Sequence, residues 1–254
     1  MNKIIGEKPN YGNWVSKRMV YAPAGIGLLF LGFSFVNPLM IILSILFLAI
    51  AGYFAYARQL FSQASGNVQR KIQELVLANL EWDGRGKALD IGCGNGALSI
   101  LLALKYTAAR ITGIDSWGKG WEYSKNTCEK NGEIEGVAAR MVFQEASASQ
   151  LPFEDGVFDA AVSNLAFHEV RDAKDKRDLI REGLRVVRKG GKFSFQDLFL
   201  GKMMYGEIND LVAEIKSWGI TRVEFIRTCD SDFIPAVLKL PFMVGTMGLL
   251  LGEK

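Results

Sequence analysis

Residues 88–99 read Ala-Leu-Asp-Ile-Gly-Cys-Gly-Asn-Gly-Ala-Leu-Ser. A short apolar run suited to a buried strand leads into Gly92, Cys93, Gly94, Asn95 and Gly96, and a helical stretch opens at Ala97. Glycines here allow a tight turn and let a ligand approach bare backbone. The new helix adds unpaired N–H donors and a partial positive charge, which suits the anionic end of a ligand. Gly92-x-Gly94-x-x-Ala97 also meets a loose dinucleotide fingerprint. Asp90 separates the two readings. A carboxylate two residues before the first glycine repels a pyrophosphate and welcomes the ammonium of an amino-acid-like ligand. The next apolar run, 110–115, ends in Asp115, where a doubly wound fold holds ribose hydroxyls.

Outward from this pair the chain alternates. Strands are expected at 88–91, 110–115, 138–143, 157–163 and 192–197. Helices are expected at 67–80 (capped by Asn67), 97–107, 119–131, 172–189 and 203–218. The alternation predicts an α/β, Rossmann-like doubly wound sheet with helices on both faces. Residues 220–227 read as a further strand, and 245–251 as a final antiparallel core strand. A competing reading lays Phe233–Phe242 on a membrane surface with Lys239 at the headgroups.

Of the 254 residues 49% are hydrophobic, and mean hydropathy is +0.13. That surplus sits near the N-terminus, where 19–57 carries no charge. One spanning helix needs ~20 apolar residues. Asn37-Pro38 divides the run, so the reading is a transmembrane hairpin with spans at 19–36 and 39–57. Lys17, Arg18 and Arg58 flank it, which keeps both ends and the remaining chain cytoplasmic. The expected organisation is an interfacial segment 1–18, an all-α hairpin 19–58 and a soluble domain 59–254. A cleaved signal peptide has a shorter apolar core. A re-entrant hairpin stays open, because Pro23, Gly25, Gly27 and Gly32 interrupt the first half.

Thirty basic against 27 acidic residues leave a net charge of +3, too little to argue for nucleic acid. Three scattered cysteines give neither a disulfide framework nor a zinc site, and point to a reducing compartment. His168 is the single histidine, which excludes mechanisms needing two.

Asp90-x-Gly92-x-Gly94-x-Gly96, Asp115, Leu151-Pro152-Phe153 with Phe158-Asp159, and Arg185-Val-Val-Arg-Lys-Gly-Gly191 follow one another in order. Together they resemble the class I S-adenosylmethionine-dependent methyltransferases, in the branch acting on small molecules, over residues 67–228. The resemblance implies S-adenosylmethionine as cofactor. Asp90 and the Gly92–Gly96 backbone, Cys93 included, would face its methionine part. Asp115 would hold the ribose, with Ser116 or Trp117 against the adenine. The family often places an aspartate shortly before its Leu-Pro-Phe to bond the adenine amine. Ser147 stands there in this chain, beside Ala148, a departure that leaves adenine recognition to a hydroxyl and neighbouring backbone.

Methyl transfer from a sulfonium needs alignment more than activation, and no metal. The run Ala161–Val170 ends a strand at the ligand crevice. Asn164 is expected on the cofactor side, and His168 is the candidate base if the acceptor must lose a proton; an alternative is a histidine that orders its loop. Glu169, Gln196, Phe233, Tyr11 and Trp14 are candidates near the acceptor, the last two as a lid or as interfacial anchors. The charge run 171–181 reads as a solvated helix face. The expected partners are a lipophilic acceptor and membrane lipids. A small thiol acceptor and a non-catalytic cofactor-binding module are the competing classes.

Overall fold

The computed structural model describes residues 6–118 and 123–254. It divides into two compact units, 13–72 and a larger one built from 73–254 with the N-terminal residues up to Gly12. Residues 1–5 of the expected interfacial segment and the first four positions of the expected helix 119–131 lie outside the described residues.

In the smaller unit, α1 (Lys17–Phe33) and α2 (Met40–Phe61) form a helical hairpin. Ser16 caps α1 by accepting from the Met19 amide. Asn37 shapes the turn, its side-chain oxygen accepting from the Leu39 amide at 3.1 Å. The helices meet through small residues. A Cβ on Gly27 would lie 2.8 Å from Leu48 Cγ, and the Ser44 hydroxyl donates to the Gly27 carbonyl at 2.9 Å. Small residues let the two backbones approach closely, and the hydroxyl is satisfied across the seam.

Among the described residues one helix, α2, is long and apolar enough to cross a membrane. At 1.5 Å per residue its 22 residues reach ~33 Å. The 17 residues of α1 reach only ~25 Å, short of a ~30 Å hydrocarbon core. The first expected span is therefore three residues shorter at its far end than its apolar run, because Ser34–Val36 turn over. The second runs on to Phe61, four residues past its expected end at 57. Asn67 has a left-handed backbone (φ 53°) and its side-chain oxygen has no partner, so it does not cap α3 (Val68–Ala78) as expected.

The larger unit holds a seven-stranded sheet in the order β3-β2-β1-β4-β5-β7-β6. The strands are β1 (Gly86–Ile91), β2 (Ala109–Asp115), β3 (Met141–Glu145), β4 (Phe158–Asn164), β5 (Val187–Asp197), β6 (Arg222–Arg227) and β7 (Gly248–Glu253). The first five pair in parallel, and β7 runs antiparallel between β5 and β6. The helices are α4 (Ala97–Lys105), α5 (Lys125–Ile134), α6 (Lys176–Arg185), α7 (Lys202–Tyr205) and α8 (Ile208–Ser217). β4 is buried almost throughout and β1 over its last four residues, as strands covered on both faces must be.

Three expected boundaries move for local reasons. Residues 138–140 form a 3₁₀ turn, so β3 starts at Met141. The expected helix 172–189 ends at Arg185, because Val187 already pairs with Phe158 and Gly190 (φ 72°) makes β5 bulge. Gly206 (φ 74°) breaks the expected helix 203–218 in two. The Leu151-Pro152-Phe153 turn is pinned by Arg185, which donates to the Phe153 carbonyl and to Glu182 and Asp155 at 2.7–2.8 Å. The loops that follow β1, β2, β4 and β5 gather instead at the carboxyl ends of the parallel strands, where open α/β sheets bind ligands.

Candidate active site

The glycine loop is shaped by three left-handed residues. Gly92, Gly94 and Gly96 have φ of 74°, 56° and 79°. The Gly92 and Cys93 amides both donate to the Ile114 carbonyl, which ties the loop to the end of β2. Asp115 continues that tie. Its carboxylate accepts from the Gly94 amide at 2.9 Å and from the Trp117 amide at 2.8 Å.

Trp117 is held by its own indole N–H, which donates to the Gly94 carbonyl at 2.8 Å. The ring packs against Cys93, Cys128 and Phe143. The structure thus brings Trp117 to the glycine loop, while its neighbour Ser116 is exposed. The loop is also gripped from the other side. The Asn131 side-chain NH2 donates to the Asn95 carbonyl and to the Asn10 carbonyl, each at 2.9 Å. Tyr11 follows Asn10 and its hydroxyl meets Glu135 at 3.5 Å. Trp14 belongs to the smaller unit, where its ring lies 5.5 Å from that of Phe61.

Asp90 is buried with one oxygen paired. The Ser99 hydroxyl donates to it at 2.5 Å, and the other oxygen is buried without a partner. Burial pushes this carboxyl up to about 7, against the pull of Ser99. An orphaned carboxylate oxygen costs free energy unless something supplies a donor. Sequence reading passed over Ser99. Its place, one turn into the helix after the glycines and facing the strand that carries Asp90, is the signal that could have found it.

At the end of β4 the backbone is strained. Leu165 is left-handed (φ 58°), which costs a non-glycine residue ~1 kcal/mol. This kink sets Ala166 against Gly92 and turns His168 toward β5. The Asn164 side-chain oxygen is buried there without a partner. His168 Nδ1 lies 2.8 Å from Asp197 Oδ1 and Nε2 3.3 Å from Glu169 Oε1. Burial opposes charge on the ring, but the bonds to Asp197 and Glu169 outweigh it and raise the pKa to about 10. At that value the ring carries a proton on both nitrogens at neutral pH, and each donates to one of the two carboxylates. Tyr205 is buried beside Asp197, and burial, with that carboxylate adding to it, pushes its phenol far up.

Other expectations are relocated. Gln196 is fully buried, donating to Thr228 at 3.3 Å, and does not reach a pocket rim. Phe233 is half-buried, but the adjoining Ile234 and Leu238 belong to the core, so 233–242 does not lie on a surface as one strip. Ala148 is buried beneath Ser147 and Ser149. Asp172 leaves the solvated run 171–181 to bond both of those serines.

Residues 89–195 match the protein-family model described as a methyltransferase domain. That segment is a methyltransferase domain. The domain is 34% identical over 121 residues to the ribosomal RNA small subunit methyltransferase C of Klebsiella pneumoniae, covering 47% of this chain and 33% of the relative. It is 33% identical over 114 residues to the 27-O-demethylrifamycin SV methyltransferase of Amycolatopsis mediterranei, covering 45% and 39%. The chain thus spans about a third of the length of these relatives. Among solved structures, geranyl diphosphate methyltransferase with GPP and sinefungin superposes with a TM-score of 0.54 at 14% identity, over 76% of this chain and 80% of that one. The [4+2]-cyclase SpnF gives 0.54 at 21% identity, over 72% and 80%. These likenesses show the fold, and a cyclase among them shows that the fold does not fix the reaction.

The methyltransferase domain's residues fit S-adenosylmethionine as cofactor. Asp90 presents a buried, unpaired oxygen, and Gly92 leaves bare backbone beside it. No group of acids, histidine and cysteines among the described residues is arranged to hold a metal.

Proposed function

We propose that this chain is a membrane-tethered methyltransferase that passes a methyl group from S-adenosylmethionine to a lipophilic small molecule, with its catalytic domain on the cytoplasmic side. The outward face of the hairpin carries this reading. Leu28, Leu29, Phe35, Val36, Ile42 and Ile45 are all exposed, with Phe35 at 90%. Soluble monomers rarely leave apolar patches this large in water, and lipid is the solvent that accepts them. A second apolar surface supports an acceptor arriving from the bilayer. Met203 is fully exposed and Phe242 64% exposed, beside exposed Lys202 and Lys239. Their segments are joined where the Leu200 amide donates to the Thr246 carbonyl, at the same end of the sheet as His168 and Asp197.

The sulfonium supplies an already activated methyl group. The protein's task is therefore to align and to exclude water. Asp90 would take the ammonium on its unpaired oxygen, and Asp115 the ribose hydroxyls. His168, fixed by Asp197, offers its second N–H to an acceptor oxygen when Glu169 releases it. That contact, at 3.3 Å, is the weaker of the two.

The test is label transfer by the full chain in nanodiscs, given S-adenosylmethionine labelled in the methyl group and a membrane lipid extract. Label in an organic-soluble product supports the reading. Label only in a water-soluble thiol offered alongside overturns the lipophilic acceptor.

A further inference from the structure

We infer that Asp172 reads the amino group of the adenine ring, in the position where the sequence offers only Ser147. The inference rests on the reading of S-adenosylmethionine as the methyl donor. A nucleoside whose ribose is held by Asp115 carries its base along the neighbouring edge of the sheet. That edge is the end of β3, since the Ala146 amide donates to the Asp115 carbonyl at 3.0 Å. Ser147 is the next residue. An exocyclic amine is a donor and needs an acceptor, and a carboxylate is a stronger acceptor than a hydroxyl.

The Ser147 and Ser149 hydroxyls are both committed to one oxygen. They donate to Asp172 Oδ2 at 2.9 and 2.6 Å. The two serines hold an exposed carboxylate at a defined place beside Ala146, and their hydroxyls keep its pKa below the usual carboxylate range. Asp172 therefore stays ionised at neutral pH. A free surface aspartate samples several rotamers, whereas this one has been ordered before any ligand arrives, the condition for tight and selective recognition. Helix capping does not account for it. The cap of α6 is Asp175, whose side chain accepts from the Arg177 amide at 2.9 Å. Asp172 thus reaches across 25 residues of sequence to the Ser147 hydroxyl.

The experiment compares two ligands on the full chain in detergent micelles by calorimetry. S-adenosylhomocysteine carries the amine, and S-inosylhomocysteine carries a carbonyl in its place. The wild-type protein should bind the adenosyl ligand about tenfold more tightly or better. Asp172→Ala should weaken the adenosyl ligand and bring the two within about twofold, leaving the inosyl ligand nearly unchanged. Asp172→Asn, which can present an N–H to the carbonyl, should favour the inosyl ligand relative to the wild type. A merely structural Asp172 would weaken both ligands together and keep their ratio, and that result overturns the inference. If the wild-type protein binds neither ligand, the cofactor reading falls and takes the inference with it.

Discussion

A Cβ placed on Gly92 would lie 2.1 Å from the Cβ of Ala166. The end of β1 and the turn after β4 therefore touch where no side chain fits between them. Gly92→Ala has two costs, a left-handed alanine at φ 74° and an overpacked contact, together roughly 2–4 kcal/mol. Thermal unfolding should show that loss. Ala166→Gly in the same chain should restore the steric share and leave the backbone share.

Asp115→Ala should weaken S-adenosylhomocysteine by roughly 1–3 kcal/mol, because it strands the Gly94 and Trp117 amides as well as the ribose hydroxyls. Titration calorimetry reads the loss. An unchanged affinity would remove Asp115 from the site.

His168 is the sole histidine, so labelled imidazole gives one set of NMR signals. They should stay at the imidazolium positions from pH 5.5 to 8, since the folded pKa is about 10. An unfolded histidine titrates near 6.5. Raising the folded value means that the contribution to stability is complete below about pH 6.5 and is lost as pH climbs through about 10. Asp197→Asn should bring the midpoint down toward neutrality, and a wild-type midpoint near 6.5 would contradict the assignment.

The three native cysteines are buried, so a cysteine introduced at Asn37 reports alone. Labelling by an impermeant thiol reagent from the far side of a sealed vesicle is the outcome expected of a spanning hairpin. Labelling only from the side of the catalytic domain would mean a hairpin that turns within one leaflet, a geometry the short α1 makes economical.

What the sequence made legible was local. The glycine loop, Asp90, Asp115 and the strand-helix alternation are periodic or contiguous signals, and each stands within a few residues of its expected place. What it hid depends on contacts between distant segments. Nothing near Ser147 announces that Asp172 will meet it, because that meeting depends on the turn after Leu165. The protonation of His168 was hidden for the same reason. A lone histidine is open to both readings, base or loop-ordering group, and its partner Asp197 stands buried at the end of another strand. The burial of Gln196 followed from the final strand, whose partners on both sides were not fixed by its own apolar run.

The strand order leaves β3 and β6 at the two edges of the sheet. β6 carries Arg222, Glu224 and Arg227 along its six residues, and β3 is five residues long and ends in Glu145. Charged and short edges discourage a neighbouring chain from adding a strand. For a chain as apolar as this one that matters during crowding. Unprotected edges would let neighbouring copies polymerise through their sheets. With both rims blunted and the most apolar strands shut inside, copies can accumulate side by side without seeding fibres.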